Sequence, residues 1–195
     1  FLTILNLICG CFAIALAFQF QFEAVLILVC LGNFFDFLDG LIARALDAVT
    51  NFGKHLDSIT DVITSGVVPG VVVYQLFKLS GNKVSDFEFL IFGYDLIFSL
   101  STISFIAFII TIGSAIRLSK FNNTIGDNEF IGLPTPANAI FFAALPVLIN
   151  SELLVDSKEV FLNNYFLITS VFISVFLMNA QFKFFSLKIL YKDFK

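Results

Sequence analysis

The chain contains no tryptophan, one methionine, one histidine and three cysteines, and only 13% of its residues are charged. Each shortage excludes something. Without tryptophan there is no indole belt for a membrane interface, and the four tyrosines replace it only in part. A single histidine, His55, excludes a histidine-built metal centre and reads as structural or interfacial. Cys9, Cys11 and Cys30 lie in apolar runs without ligand spacing, so they read as small buried hydrophobes and not as a disulfide framework. The eleven lysines and arginines form no basic stripe, which excludes nucleic acid as a partner. The abundant residues are apolar: 58% of the chain is hydrophobic and 28 of its 195 residues are phenylalanine. Mean hydropathy is +0.97. A soluble domain is roughly half apolar and a quarter charged. The sequence therefore predicts an all-α integral membrane protein with one helical domain.

Charge-poor windows predict six transmembrane helices, over residues 1–22, 24–46, 57–77, 96–116, 130–151 and 160–182. A span needs about 20 residues. The second and third reach that length only if the acids they carry lie at their ends, near one membrane surface. Residues 47–54 form a short connection, and the apolar segment 89–94 reads as lying along the interface. Pro69 predicts a kink in the third helix, and Pro134 and Pro136 a start for the fifth. One side of the six-span arrangement collects Arg44, Lys54, Arg117, Lys120, Lys183, Lys188, Lys192 and Lys195; the other collects Lys78, Lys83 and Lys158. This bias turns the first side to the cytoplasm. Residues 1–182 form the transmembrane domain. Residues 183–195 read as an interfacial tail or as the start of further spans. The chain opens at Phe1, directly in an apolar run, and reads as a fragment lacking its N-terminus.

Four acids interrupt this apolar sequence in one pattern: Asp36-x-x-Asp39-Gly40-x-x-Ala43-Arg44, then Gly53-x-x-x-Asp57-x-x-x-Asp61. An acid in a bilayer span costs roughly 2.5–3.5 kcal/mol, so four cost on the order of 10 kcal/mol uncompensated. At 3.6 residues per turn the first group shares one stripe, and Asp57 and Asp61 share a face of the next helix. Two such stripes facing each other make a four-carboxylate pocket. Hard divalent cations such as Mg²⁺ or Mn²⁺ take oxygen ligands of this kind, together with substrate phosphates. Gly40 and Ala43 leave room for a bulky anion, and Arg44 adds forked donors for phosphate oxygens. Thr50 offers a hydroxyl to a phosphate oxygen, and Gly53 gives room or a tight bend. Asn33, one turn before Asp36, is a candidate support for it. Thr3 and Asn6 either contact a nucleotide or pyrophosphate, or make helix–helix hydrogen bonds.

These eight signature positions resemble those of the CDP-alcohol phosphotransferase family, without a departure. Residues 3–10 (with Thr3, Asn6 and Gly10), 117–122 (with Arg117, Lys120 and Asn122) and 132–138 (with Gly132, Pro134, Pro136 and Asn138) resemble its serine-accepting branch. The resemblance implies a multi-pass membrane enzyme with its active site facing the cytoplasm. It would move a phosphatidyl group from CDP-diacylglycerol to the hydroxyl of L-serine, giving phosphatidylserine and CMP. It implies two divalent cations, Mg²⁺ or Mn²⁺, held by Asp36, Asp39, Asp57 and Asp61, with Asp61 also the general base. Gly40, Ala43, Arg44, Thr50, Gly53, Thr3 and Asn6 would form the CDP-binding set. The partners implied are both substrates and membrane lipid; a homodimer is left open.

Arg117 is the candidate cation for the serine carboxylate. Lys120 is either a second one or an ordinary cytoplasmic anchor. Two other readings remain. In the first the acceptor is glycerol 3-phosphate or inositol phosphate, which demands more cations than this chain offers nearby. In the second the acids form the cation site of an ion-coupled transporter, which demands a polar path across the membrane that spans four and six do not provide.

Overall fold

The computed structural model describes residues 1–46, 50–80, 87–91, 94–98, 103–123, 132–151 and 158–180. Residues 183–195, expected to be an interfacial tail or the start of further spans, lie outside them. The described chain is helical apart from one hairpin. Helix α1 (Leu2–Phe18) turns through residues 19–21 into α2 (Phe22–Ala45). Phe20 takes φ of 60° there, and the Gln21 N–H reaches the Leu16 carbonyl at 3.1 Å, closing the end of α1. Helix α3 (Asn51–Val62), a π-turn (Ile63–Val67) and α4 (Val68–Leu79) form one continuous rod. Strands β1 (Phe87–Ile91) and β2 (Tyr94–Phe98) pair antiparallel, Phe87 opposite Phe98. A 3₁₀ turn (Ser104–Phe108) leads into α5 (Ile109–Asn123). Helix α6 (Thr135–Asn150), the short α7 (Lys158–Phe161) and α8 (Asn164–Asn179) complete the bundle.

Two helices, Phe22–Ala45 and Asn51–Leu79, are long and apolar enough to cross a membrane; Leu2–Phe18, Thr135–Asn150 and Asn164–Asn179 are shorter apolar helices. The rod lies at the centre: on α4, Val68, Val71, Val72, Val73, Leu76 and Phe77 are all buried. Its neighbours turn phenylalanines outward, among them Phe12, Phe34, Phe105 and Phe141. An apolar exterior around a packed core suits a lipid solvent. On α1 the buried stripe Cys9, Gly10, Ala13 and Ala17 is small, which lets backbones come close.

Two expectations change. Residues 89–91 and 94, expected along the interface, and residues 96–98, the first of the expected fourth span, lie in the hairpin strands. Residues 87–98 are rich in aromatic and β-branched types, which favour extended chain over helix. The third helix starts at Asn51, so Gly53 lies inside its first turn instead of in a connection. At Pro69, the site of the expected kink, the rod runs on through a π-turn into α4. The proline has no N–H to donate and crowds the carbonyl four residues back. The π-turn just before it absorbs the misfit, since such turns carry an extra residue in the ladder. Side chains on α5 supply hydrogen bonds to this stretch. The Ser114 hydroxyl reaches the Ser65 carbonyl at 3.4 Å, and the Thr111 hydroxyl reaches the Gly66 carbonyl at 2.9 Å. The expected start of the fifth helix is found, with Pro134 at the cap and Pro136 in the first turn.

Gly132 anchors that start. Its φ is +75°, and a Cβ there would stand 2.5 Å from the Met178 carbonyl oxygen. The next residue's N–H, from Leu133, donates to the Leu177 carbonyl at 3.0 Å. Gly132→Ala should therefore destabilise by about 2–3 kcal/mol, lowering the unfolding midpoint in detergent by about 5 °C or more. An unchanged midpoint would mean that the backbone shifts there without cost.

Candidate active site

The acids of α2 and α3 meet over the polar edge of α1, which packs against both helices. Asp36, Asp57 and Asp61 each offer a carboxylate oxygen, and the three oxygens lie within 4.8 Å of one another. All three residues are part-buried. Among the described residues, the charged groups acting on Asp57 and Asp61 are other acids. Two unit charges 4 Å apart interact by about 4 kcal/mol at an effective dielectric of 20. Three such charges hold together only with cations or protons among them. The donor set is all oxygen, anionic and half-open, which fits a hard divalent cation that keeps waters or phosphate oxygens as its remaining ligands.

Asp39 stands slightly apart. It lies outside the group of three and accepts a hydrogen bond from the Thr3 hydroxyl. Asn6, one turn further along α1, donates from Nδ2 to Asp61 Oδ1 at 3.4 Å. The two polar residues of α1 thus contact signature aspartates through helix–helix hydrogen bonds. Asn33 accepts at Oδ1 from the Ser65 hydroxyl at 3.4 Å, while its Nδ2 is buried without a partner.

The remaining signature residues lie on the same two helices and at the start of α3. Among the described residues, apart from the backbone of its own helix and its chain neighbours, the Arg44 guanidinium is the group within 4 Å of a Cβ placed at Gly40. Arg44 is exposed and folds back, its Nε donating to the Gly40 carbonyl at 2.8 Å. Ala43 is half-buried beside it. Thr50 caps α3, its hydroxyl oxygen accepting from the Gly53 N–H at 3.0 Å. Gly53 leaves the room this needs, since a Cβ there would stand 3.0 Å from that oxygen. The Thr50 proton is still available to a phosphate. His55 is exposed and lines a cleft of about 450 Å³ between α3 and α5, with Ser58, Ile59 and Leu118.

Arg117 is half-buried on α5. Its Nη1 donates to the Thr135 hydroxyl at 3.4 Å, and its Nε is buried without a partner. Thr135 opens α6, so the guanidinium sits at a helix N-terminus. A cation there meets the positive end of the helix dipole; the two together attract an anion. The rod and α5 run antiparallel, with Ser65 against Ser114 and Gly66 against Thr111. One turn on from the first pair, Asp61 and Arg117 fall at the same height along the bundle. Lys120 lines a different cleft, of about 500 Å³, between α5 and α8.

The sequence reading gave no role to Thr64, Gly10 or Gly32. Thr64 donates from its hydroxyl to Asn6 Oδ1 at 2.9 Å, and both glycines face this pair. The available signal was a threonine three residues past Asp61 on an apolar rod.

A sequence model of CDP-alcohol phosphatidyltransferases matches residues 1–177. The chain belongs to this family. It is 35% identical over 154 residues to a CDP-diacylglycerol–serine O-phosphatidyltransferase of Methanocaldococcus jannaschii, covering 79% of this chain and 62% of that protein. The Bacillus subtilis protein of the same name is 32% identical over 160 residues, covering 78% and 77%. An archaetidylserine synthase of Methanothermobacter thermautotrophicus is 32% identical over 142 residues, covering 71% and 53%. The matches thus span from about half to about three quarters of these relatives' lengths.

The acid cluster makes a direct prediction. Mn²⁺ at about 100 times its dissociation constant should stabilise the detergent-solubilised protein by about 2.7 kcal/mol. Asp57→Asn should remove most of that gain. A full gain in the variant would place the ion elsewhere.

Proposed function

We propose that this family member transfers the phosphatidyl group of CDP-diacylglycerol to L-serine, releasing CMP and leaving phosphatidylserine in the membrane. The observation that carries the reading is the convergence of Asp36, Asp57 and Asp61 on one point, on helices of a family of CDP-alcohol phosphatidyltransferases. The names of the relatives support serine as the acceptor. An acid cluster serving transport has no such support, and an acceptor bearing a phosphate needs more cationic groups than Arg117 alone.

Asp36, Asp39, Asp57 and Asp61 are the residues that would hold two divalent cations, Mg²⁺ or Mn²⁺. Bound there, the ions would offset the pyrophosphate charge and polarise the phosphorus under attack. The remaining work falls to side chains. Gly40 and Ala43 leave space for the CDP group. Arg44, freed from its own helix, reaches phosphate oxygens, as does the Thr50 hydroxyl at the head of α3 beside Gly53. Thr3 and Asn6, read above either as nucleotide contacts or as helix–helix donors, are assigned to the carboxylates they already bond. Arg117 and the first N–H groups of α6 receive the serine carboxylate; Lys120, in the separate cleft between α5 and α8, is left as a cytoplasmic anchor. Asp61 accepts the serine hydroxyl proton as that oxygen forms its bond to the diacylglycerol-linked phosphorus. The bond from phosphorus to the CMP oxygen breaks, and CMP leaves with the electron pair.

The six-span arrangement and the cytoplasmic orientation rest on the charge-poor windows and on the eight-to-three division of lysine and arginine. Residues 1–182 are assigned to the transferase bundle, and 183–195, outside the described residues, to an interfacial tail or the start of further spans. CDP-diacylglycerol, L-serine and membrane lipid are the proposed partners; the homodimer has no support among the described residues.

An acceptor panel tests this. Purified protein with CDP-diacylglycerol and Mn²⁺ should release CMP with serine, and not with glycerol 3-phosphate or inositol phosphate. Release with only a phosphate-bearing acceptor would overturn the assignment. Asp61→Asn should lower kcat by about 10²–10⁴. Arg117→Ala should raise the serine KM by about 10-fold or more, the worth of a charge-assisted hydrogen bond, with little change for CDP-diacylglycerol. An unchanged serine KM would remove Arg117 from the acceptor site.

A further inference from the structure

We infer that Asn6 and Thr64 form a positioning device for Asp61: Thr64 locks the Asn6 amide, and the amide fixes one oxygen of the carboxylate. The inference rests on the proposed role of Asp61 as the proton acceptor. Asn6 is 0% exposed and Thr64 1% exposed, so neither is arranged by solvent. The Thr64 hydroxyl donates to Asn6 Oδ1 at 2.9 Å, and Asn6 Nδ2 donates to Asp61 Oδ1 at 3.4 Å. The order of atoms is chemically forced. An amide turned the other way would set its oxygen against a carboxylate oxygen, two acceptors face to face. With the amide held, Asp61 Oδ1 is tied to Asn6, and Oδ2 is the oxygen left for a substrate proton or a cation.

The surroundings are shaped around this chain of bonds. A Cβ at Gly32 would stand 2.8 Å from Asn6 Oδ1 and 3.0 Å from Thr64 Cγ2. A Cβ at Gly10 would stand 2.8 Å from the Thr64 hydroxyl. Two helices therefore give up a side chain where Asn6 and Thr64 meet. Thr64 itself lies in the π-turn that begins two residues after Asp61. Such turns recur at functional sites because they re-aim a side chain without ending the helix. A buried amide that bridges a hydroxyl and a carboxylate has its donors and acceptors matched, and that match holds only in this geometry.

The test separates positioning from packing and from nucleotide contact. Thr64→Val keeps the shape and removes the hydroxyl; Thr64→Ser restores it. In CMP release with serine, Thr64→Val and Asn6→Ala should each lower kcat by about 10–100-fold, as loss of a ligand's supporting hydrogen bond does. The KM for CDP-diacylglycerol should stay near its wild-type value, and Thr64→Ser should recover most of the rate. A raised CDP-diacylglycerol KM at unchanged kcat would make Asn6 a nucleotide contact and overturn the inference. So would a Thr64→Ser variant as impaired as Thr64→Val, which marks simple packing. Wild-type kcat in Thr64→Val and Asn6→Ala would overturn it as well. Should Asn6→Ala fail to fold, the Thr64 pair decides alone. An Asp61→Asn enzyme at wild-type rate would instead remove the base assignment. Asp61→Asn inactive beside a fully active Thr64→Val would remove the positioning role and leave the base in place.

Discussion

Mutual repulsion among Asp36, Asp57 and Asp61 is the constraint on which the rest of this structure turns. Three carboxylate oxygens within 4.8 Å, at the end of membrane-grade helices, are unstable as bare anions. A cationic side chain inserted among them would relieve the repulsion, and it would also fill the space a substrate needs. Among the described residues the charged groups acting on Asp57 and Asp61 are other acids, and the one neutral donor to Asp61 is the Asn6 amide. The cluster is thus held in a state that exchangeable cations complete. That arrangement suits a reaction whose substrate and leaving group are both phosphate anions.

Holding like charges together requires rigid supports, and the bundle supplies them by economy of side chains. Helix α1 is the support for both acid-bearing helices. Its polar edge presents Thr3 to Asp39 and Asn6 to Asp61, while Gly10, Ala13 and Ala17 let it lie close. The rod that carries Asp57 and Asp61 is buried along its α4 half and tied to α5 by the Ser114 and Thr111 hydroxyls. Those hydroxyls act on carbonyls of the π-turn itself, where the ladder is irregular ahead of Pro69. In lipid no water could take their place. The irregular turn beside the site is therefore stable because a neighbouring helix completes its hydrogen bonding.

Much of the site was legible in the sequence because carboxylates in apolar spans are rare and their spacing fixes a face. The stripe on α2 and the pair on α3 followed from 3.6 residues per turn, and three of the four acids do converge. What could not be read was the partner of each polar group. Thr3 and Asn6 looked equally fit for a nucleotide or for a neighbouring helix, since either choice satisfies a buried donor. The bond from Thr3 to Asp39 and the gap that keeps Asp39 out of the closest group depend on helix crossing, which spacing does not encode. Pro69 gave the place of the irregularity, but not its form: a kink and a π-turn answer the same missing N–H. The hairpin at 87–98 was hidden because aromatic and β-branched residues fill membrane spans as readily as strands.

The contrast between Asp39 and Asp61 shows how α1 distinguishes acids of one signature. A threonine hydroxyl can donate or accept, so the Thr3 contact tolerates a change in what Asp39 carries. The Asn6 amide, with its oxygen engaged by Thr64, can only donate. It therefore matches a carboxylate oxygen and resists rotation of the Asp61 side chain. In the proposed mechanism Asp61 takes up a proton and must stay aligned through that change, which the second kind of partner serves. Gly10 and Gly32, open on two helices at the same spot, make room for that partner. The small-residue pattern of α1 and α2 thus belongs to the chemistry as well as to the packing.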